Sequence, residues 1–377
     1  MSDYSKQIDA KNEWRITALL KELPPFAKLY FDDSHRSKLS RTRLGYAQDI
    51  NLFFKWLQGS AGFKDVDLQS APPSILEKLT FKDFEEYKSS IEFSSRVDQN
   101  GKPLPTENTT MARRLSALRS FMKFFYTIGA IKTNPAMFIS MPKITEHNII
   151  ALDPSEIDLV FNVISSKQGL TKNQIIRRQK TEKRDFAIIT TLLGTGIRVS
   201  ELVGLNLRDV DFKNGRLIIT LKGGNDGFSY FEGEVEDSLL DYIENGRPLL
   251  EPAIDEQALF ISVRHTRMTV RAIELLVKDY CTRAGIADAD RITPHKLRAT
   301  YGTHLYEQSG DIRLVASALH HKSIETASKQ YVKDSEQRHR KIAEYSSSLF
   351  PANSRYKDAD SAIDDSIDQA LREVGLI

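Results

Sequence analysis

Apolar positions in the first 145 residues recur at helical spacing almost throughout. Leu44, Ile50, Phe53, Phe54 and Leu57 mark one helix over residues 42–57. Leu115, Leu118, Phe121 and Phe125 mark another over residues 108–126, whose Arg113, Arg114, Arg119 and Lys123 fall largely off the apolar stripe. The stripe reads as core packing, and the arginines as either a solvated face or a phosphate-contacting one. Residues 142–152 break the pattern and read as an extended linker. Asp153, Pro154 and Glu156 then open a new helix: an N-cap acid, a proline at the first helical position and a glutamate three residues after the cap. These signals put a boundary near residue 146.

Beyond it, residues 171–184 are strongly basic and precede an apolar run over 185–193; within them Arg177-Arg178-Gln179-Lys180 read as either a phosphate-contacting stretch or a solvated loop. That run reads as a buried helix stopping at Gly194 and Gly196, with a second helix at 199–203. Residues 216–221 form a β-rich run after an Asn214-Gly215 turn, 223–227 read as a hairpin tip, and 228–231 as the return strand. From 237 to about 347 the spacing is helical again. There is no internal repeat, and Gly194-x-Gly196 lacks the context of either phosphate-binding glycine fingerprint. The expected fold class is mainly α with a small β-hairpin sheet.

Composition narrows the function classes. The 377 residues suit two or three ordinary domains, and 40% hydrophobic with 28% charged residues is a globular balance. No apolar run approaches the ~20 residues of a membrane helix, and the polar N-terminus does not read as a secretory signal. The single cysteine, Cys281, excludes an intrachain disulfide framework and a Cys-rich zinc site. The expectation is a soluble, cytoplasmic protein. Net charge is +5 over residues 1–150, 0 over 151–340 and −3 over 341–377. A basic front with an acidic tail fits a polyanionic partner, although such imbalance is also common on solvated surfaces.

Four short pieces are rich in cationic and proton-transferring residues. They are Gly194 to Leu202 with Arg198 and Glu201, Leu221-Lys222-Gly223-Gly224, Pro294-His295-Lys296-Leu297-Arg298, and His320-His321-Lys322-Ser323 followed by Tyr331. Singly each is weak: Arg198 also suits a simple pair with Glu201, Lys222 an exposed hairpin position, and the histidines a structural role. In this order and spacing they resemble the tyrosine recombinase (phage integrase) family, and within it the Xer branch, over about residues 15–345. The resemblance implies a helical core-binding domain over 1–145, a linker over 146–152, an α+β catalytic domain over 153–347 and an acidic tail over 348–377, closing as a C-shaped clamp on DNA.

It also implies roles. Tyr331 is the nucleophile that forms a 3′-phosphotyrosyl link, chemistry that needs no metal and no other cofactor. Arg198 and Arg298 hold the non-bridging oxygens of the transition state with permanently charged forks. Lys222 is the general acid for the leaving 5′-oxygen, His295 assists proton transfer at the tyrosine, and His321 hydrogen-bonds the scissile phosphate, with His320 as the alternative. The expected phosphate contacts of the front are Arg41, Arg43, Arg113, Arg114 and Arg119. The implied partners are double-stranded DNA with a specific core site, a homotetramer across two sites, and an accessory protein of cell division or of a mobile element. The implied activity is strand exchange through a Holliday junction, for chromosome dimer resolution or, alternatively, for integration of a mobile element. A type IB-like topoisomerase and a DNA-binding protein without catalysis are the competing readings.

The chain departs from the family pattern in three places. Ala299 stands where relatives often carry histidine, His320 where they carry glycine, and the hairpin return, 228–232, lacks a basic residue. In the tail, Ile363, Ile367, Leu371 and Val374 recur at helical spacing among acids, which reads as a protomer-docking helix or a solvated end.

Overall fold

The computed structural model describes residues 3–60, 62–93, 96–97, 103–144, 150–166, 170–221, 224–254, 256–321, 323–325 and 328. Two compact units divide at Tyr301/Gly302. Among the described residues no helix is long and apolar enough to cross a membrane.

The first unit holds two separate hydrophobic clusters. One is built by α1 (Asp3–Leu20), α2 (Ala27–Ser37), α3 (Ser40–Gly59), α4 (Phe81–Glu92) and α5 (Asn108–Thr127), with the short pair β1 (Arg96–Val97) and β2 (Pro103–Leu104) between the last two. Phe26, Phe53, Phe54, Phe121 and Phe125 meet there largely edge to face, the arrangement that ring quadrupoles favour, and Phe84 stacks on Phe53. The helical stripes over 42–57 and 108–126 are the faces of α3 and α5 that enter this core.

The other cluster begins at Leu152 and gathers α6 (Pro154–Ser165), α7 (Lys172–Thr195), α8 (Val199–Gly204), α9 (Glu234–Asp241), α10 (Val270–Arg283) and the start of α11 (Pro294–Ser309). A three-stranded antiparallel sheet lies against it: β3 (Val210–Asp211), β4 (Arg216–Thr220) and β5 (Asp226–Tyr230). The alternating burial of β4 puts Leu217 and Ile219 into the core. Asp153 caps α6 by a reciprocal box with Glu156, as its sequence predicts. In the second unit, α11 ends at Ser309 and α12 (Ile312–Ala318) follows, capped by Asp311.

Three local expectations change. Residues 177–180 are not a solvated loop but part of the first half of α7, which a Thr171–Gln174 capping box starts. Two of its arginines are tied down: Arg178 donates to the carbonyls of Val163 and Ile164 and lies over the Tyr280 ring at 4.6 Å, while Arg184 pairs with Asp185 and reaches Ile261 O. Residues 256–268, expected to be helical, form short extended pieces around a turn at 263–266, with bridges Asn206↔Ala258 and Ile261↔Arg267. The consecutive buried residues Leu259, Phe260 and Ile261 explain this, because a run covered on both sides suits an extended segment. Finally, β3 is a third strand that the hairpin signal did not announce.

Candidate active site

The site forms where α7 ends. Gly196 takes a left-handed conformation (φ 60°) and its N–H closes on Leu192 O, so the chain reverses sharply after Thr195. Ile197 is buried, and Arg198 becomes the N-cap of α8. Glu201, itself buried, accepts from both the Arg198 backbone N–H and Arg198 Nη1, at 2.7 Å each. This holds the guanidinium at the rim, its side chain 34% exposed. The pairing of Arg198 with Glu201 was visible in the sequence, but the capping role of Glu201 at the start of α8 was not.

Arg298 arrives at the same turn from α11. It is 3% exposed, and its Nη1 donates to Gly196 O at 2.5 Å. His295 lies one helical turn earlier on α11. Partial desolvation, then the positive charges of Arg298, Lys296 and Arg198, hold its imidazole below the ordinary histidine range. His295 therefore feels both arginines, and the three residues form one cationic cluster around residues 196–198. A neutral imidazole there can accept or pass a proton.

The β4–β5 hairpin borders the same place. Leu221 N–H donates to Asn225 O and Gly224 N–H to Leu221 O, which closes the tip. Lys222 lies outside the described residues; Leu221 and Gly224, on either side of it in the sequence, line a cavity of about 500 Å³ together with Arg198, Ser200 and Arg41. Tyr331 also lies outside the described residues.

In the second unit, the end of α12 bears on the adjacent histidines. His320 takes the left-handed position after the helix (φ 47°), the slot that glycine ordinarily fills. Its N–H donates to Ser317 O and that of His321 to Ala316 O, so the chain turns there and His321 is the first residue beyond it.

The expected DNA-contacting arginines separate. Arg41 is exposed and lines the cavity beside Arg198. Arg43 does not fit a phosphate contact: it is 5% exposed, paired with Glu13 of α1 and donating to Phe31 O, so it ties α1, α2 and α3 together. Arg113 is half exposed and ion-paired to the buried Asp49. Arg114 is half buried beside it. Arg119 donates to Met137 O at 3.2 Å.

Residues 162–338 match the description of the phage integrase family. Among curated relatives, tyrosine recombinase XerD of Yersinia pestis is 31% identical over 291 residues, 77% of this chain and 86% of that one. Tyrosine recombinase XerC of Caldanaerobacter subterraneus subsp. tengcongensis is 29% identical over 314 residues, 80% and 81% of the two chains. The fold is similar to that of the Tn1549 transposon integrase in complex with a circular intermediate DNA (TM-score 0.59, 20% identity, 85% of this chain and 98% of that one). It is also similar to that of the XerH site-specific recombinase bound to difH substrate (TM-score 0.58, 18% identity, 82% and 81%). The sequence motifs and the relatives agree, and this chain belongs to the tyrosine recombinases of the phage integrase family, with an Xer-like, site-specific recombining activity.

Proposed function

We propose that the turn at residues 196–198 is the phosphate-holding centre of this recombinase and that a specific double-stranded DNA site is its substrate. The observation that carries this is the meeting of Arg198, Arg298 and His295 at one turn. Two fixed guanidinium groups suit a transition state that carries negative charge on non-bridging phosphate oxygens, because they need no reorganisation as that charge develops. In the proposed step the Tyr331 oxygen attacks the phosphorus, the P–O5′ bond breaks, and the 5′-oxygen takes a proton from Lys222. His295, held neutral, takes the tyrosine proton. A 5′-hydroxyl from a partner duplex then reverses the reaction, so the phosphodiester is conserved.

His321, the first residue past the left-handed turn, is the histidine we assign to the phosphate, with His320 filling the turn itself. The two separate cores support a DNA-binding region over 1–145 and a catalytic region over 153–347, joined through 146–152. Assembly as a homotetramer on two sites, a role in resolving chromosome dimers and a cytoplasmic location complete the reading, and all three rest on likeness to the Xer recombinases.

The test is an SDS-resistant adduct assay in EDTA, on nicked duplexes tiling the replication terminus of the host and the DNA that flanks the gene. Wild type is expected to form an adduct that Tyr331→Phe does not form. A terminus fragment as the substrate supports dimer resolution, and a gene-flanking fragment would move the assignment to a mobile element. Adduct retained by Tyr331→Phe would refute the choice of nucleophile, and sequence-specific binding without adduct would favour a non-catalytic DNA-binding protein.

A further inference from the structure

Asp49 sits in the interface between α3 and α5 and is 5% exposed. Its carboxylate pairs with Nη1 of Arg113, whose side chain stays 48% exposed. Arg114, next on α5, directs Nε and Nη1 into the interior without a hydrogen-bond partner among the described residues, and the buried Tyr87 hydroxyl of α4 also lacks one. Gly45 is one turn before Asp49, and a Cβ there would stand 3.6 Å from Arg113 Nη1. The Arg113 guanidinium therefore lies along α3, at ordinary contact distance from where a side chain at Gly45 would begin, pinned at its inner end and open at its outer one. Burial pushes the Asp49 carboxyl up to about 6, with Arg113 and then Arg114 opposing that rise. A buried carboxylate of this kind contributes little net stability, since its desolvation offsets most of the attraction.

We propose that Asp49 is a positioning residue for DNA binding: it fixes the Arg113 guanidinium on the α3–α5 surface with its free N–H groups presented outward to a backbone phosphate. This rests on the reading of the α5 arginines as phosphate contacts. The gain is preorganisation, because an arginine already held in its bound rotamer loses less freedom when the phosphate arrives. The charges that face the carboxylate are Arg113 and Arg114 from α5, with the Tyr87 hydroxyl from α4, and the cluster keeps a net positive charge for the DNA. When Asp49 takes up a proton the pin is released.

The experiment measures binding in a Tyr331→Phe background, so that cleavage does not intervene. The probe is a 40-bp duplex enriched from a random-sequence pool by that same protein. Asp49→Asn is expected to melt as a folded protein and to bind the duplex about tenfold more weakly at pH 7.5. With Asp49 in place, affinity is expected to fall as pH drops through about 6; the Asp49→Asn variant should lose that component of the profile. Arg113→Ala should lose a similar affinity and lower the salt slope by about 1. The double variant should be no weaker than Arg113→Ala alone, as expected for residues acting as one unit. Normal affinity and an unchanged pH profile in Asp49→Asn, with only a lower melting temperature, would reduce Asp49 to a packing role and overturn the proposal. Arg113→Ala with unchanged affinity and slope would instead overturn the phosphate-contact reading beneath it. A pool from which nothing is enriched would overturn both.

Discussion

Glu201 commits one carboxylate oxygen to the Arg198 backbone and the other to its guanidinium, so a single buried side chain sets both the start of α8 and the direction of the proposed phosphate ligand. Removing it affects these functions separately. Glu201→Ala is expected to lower stability by about 1 kcal/mol through the lost cap. It is also expected to slow adduct formation about 10–100-fold, the usual effect of losing a residue that orients a functional one. Glu201→Gln keeps an acceptor for one of the two bonds and should recover most of the rate. Equal rates for the alanine variant and wild type, measured on saturating duplex, would mean that Arg198 needs no holder. His295 gives a pH prediction. Its folded value lies below the ordinary ~6.5, so the unfolded chain binds a proton first as pH falls. The contribution of His295 to stability is then full above about 6.5 and is lost as pH falls through the lowered folded value. The acid limb of the cleavage rate should likewise lie below ~6.5 and disappear in His295→Gln. An acid limb above 6.5 would contradict the neutral imidazole.

At the scale of elements, α7 shows which signals a sequence displays and which it hides. Only its C-terminal end was legible in the sequence, where Gly196 is the left-handed stop; the Thr171–Gln174 capping box that starts it was not. The dense charge between them obscured its first half, because charge alone does not reveal that Arg178 is folded back over Tyr280. The same limit hid the burial of Arg43, whose partners Glu13 and Phe31 are distant in sequence. Gly194 carries a further constraint that no local pattern encodes. It lies inside α7, and a Cβ there would stand 2.3 Å from Val235 Cγ2 of α9. Gly194→Ala should therefore destabilise the protein despite the better helix propensity of alanine. Overpacking costs about 1–3 kcal/mol, against roughly 1 kcal/mol regained from propensity. A melting temperature at or above that of wild type would show that α9 yields at no cost.

Over the whole molecule, the spacing of candidate site residues was legible where the contacts that hold them were not. Arg198, Lys222, His295, Arg298, His321 and Tyr331 stand out only by the resemblance of their order and spacing to a family pattern; of these the structure brings Arg198, His295 and Arg298 to one turn, and Lys222 and Tyr331 lie outside the described residues. The structure adds the joining turn, where Gly196 O receives Arg298. Charge is legible too, and it leads to a separate prediction. Residues 348–377 contain 3 Lys/Arg and 6 Asp/Glu, so ending the chain at Ser347 would raise the net charge from +2 to +5. If the acidic tail acts only through its field, that truncation should tighten binding to an unrelated duplex by about threefold at low salt. The gain should then vanish near 0.15 M salt, where the screening length is about 8 Å. The slope of log affinity against log salt should become steeper only over that low range, because no new phosphate is contacted. Tightening that persists at every salt concentration would require the tail to occupy the DNA-binding surface directly. An affinity unchanged even at low salt would put its charge beyond reach of the duplex. The measurement thus separates a field from a contact, which the net charge by itself does not.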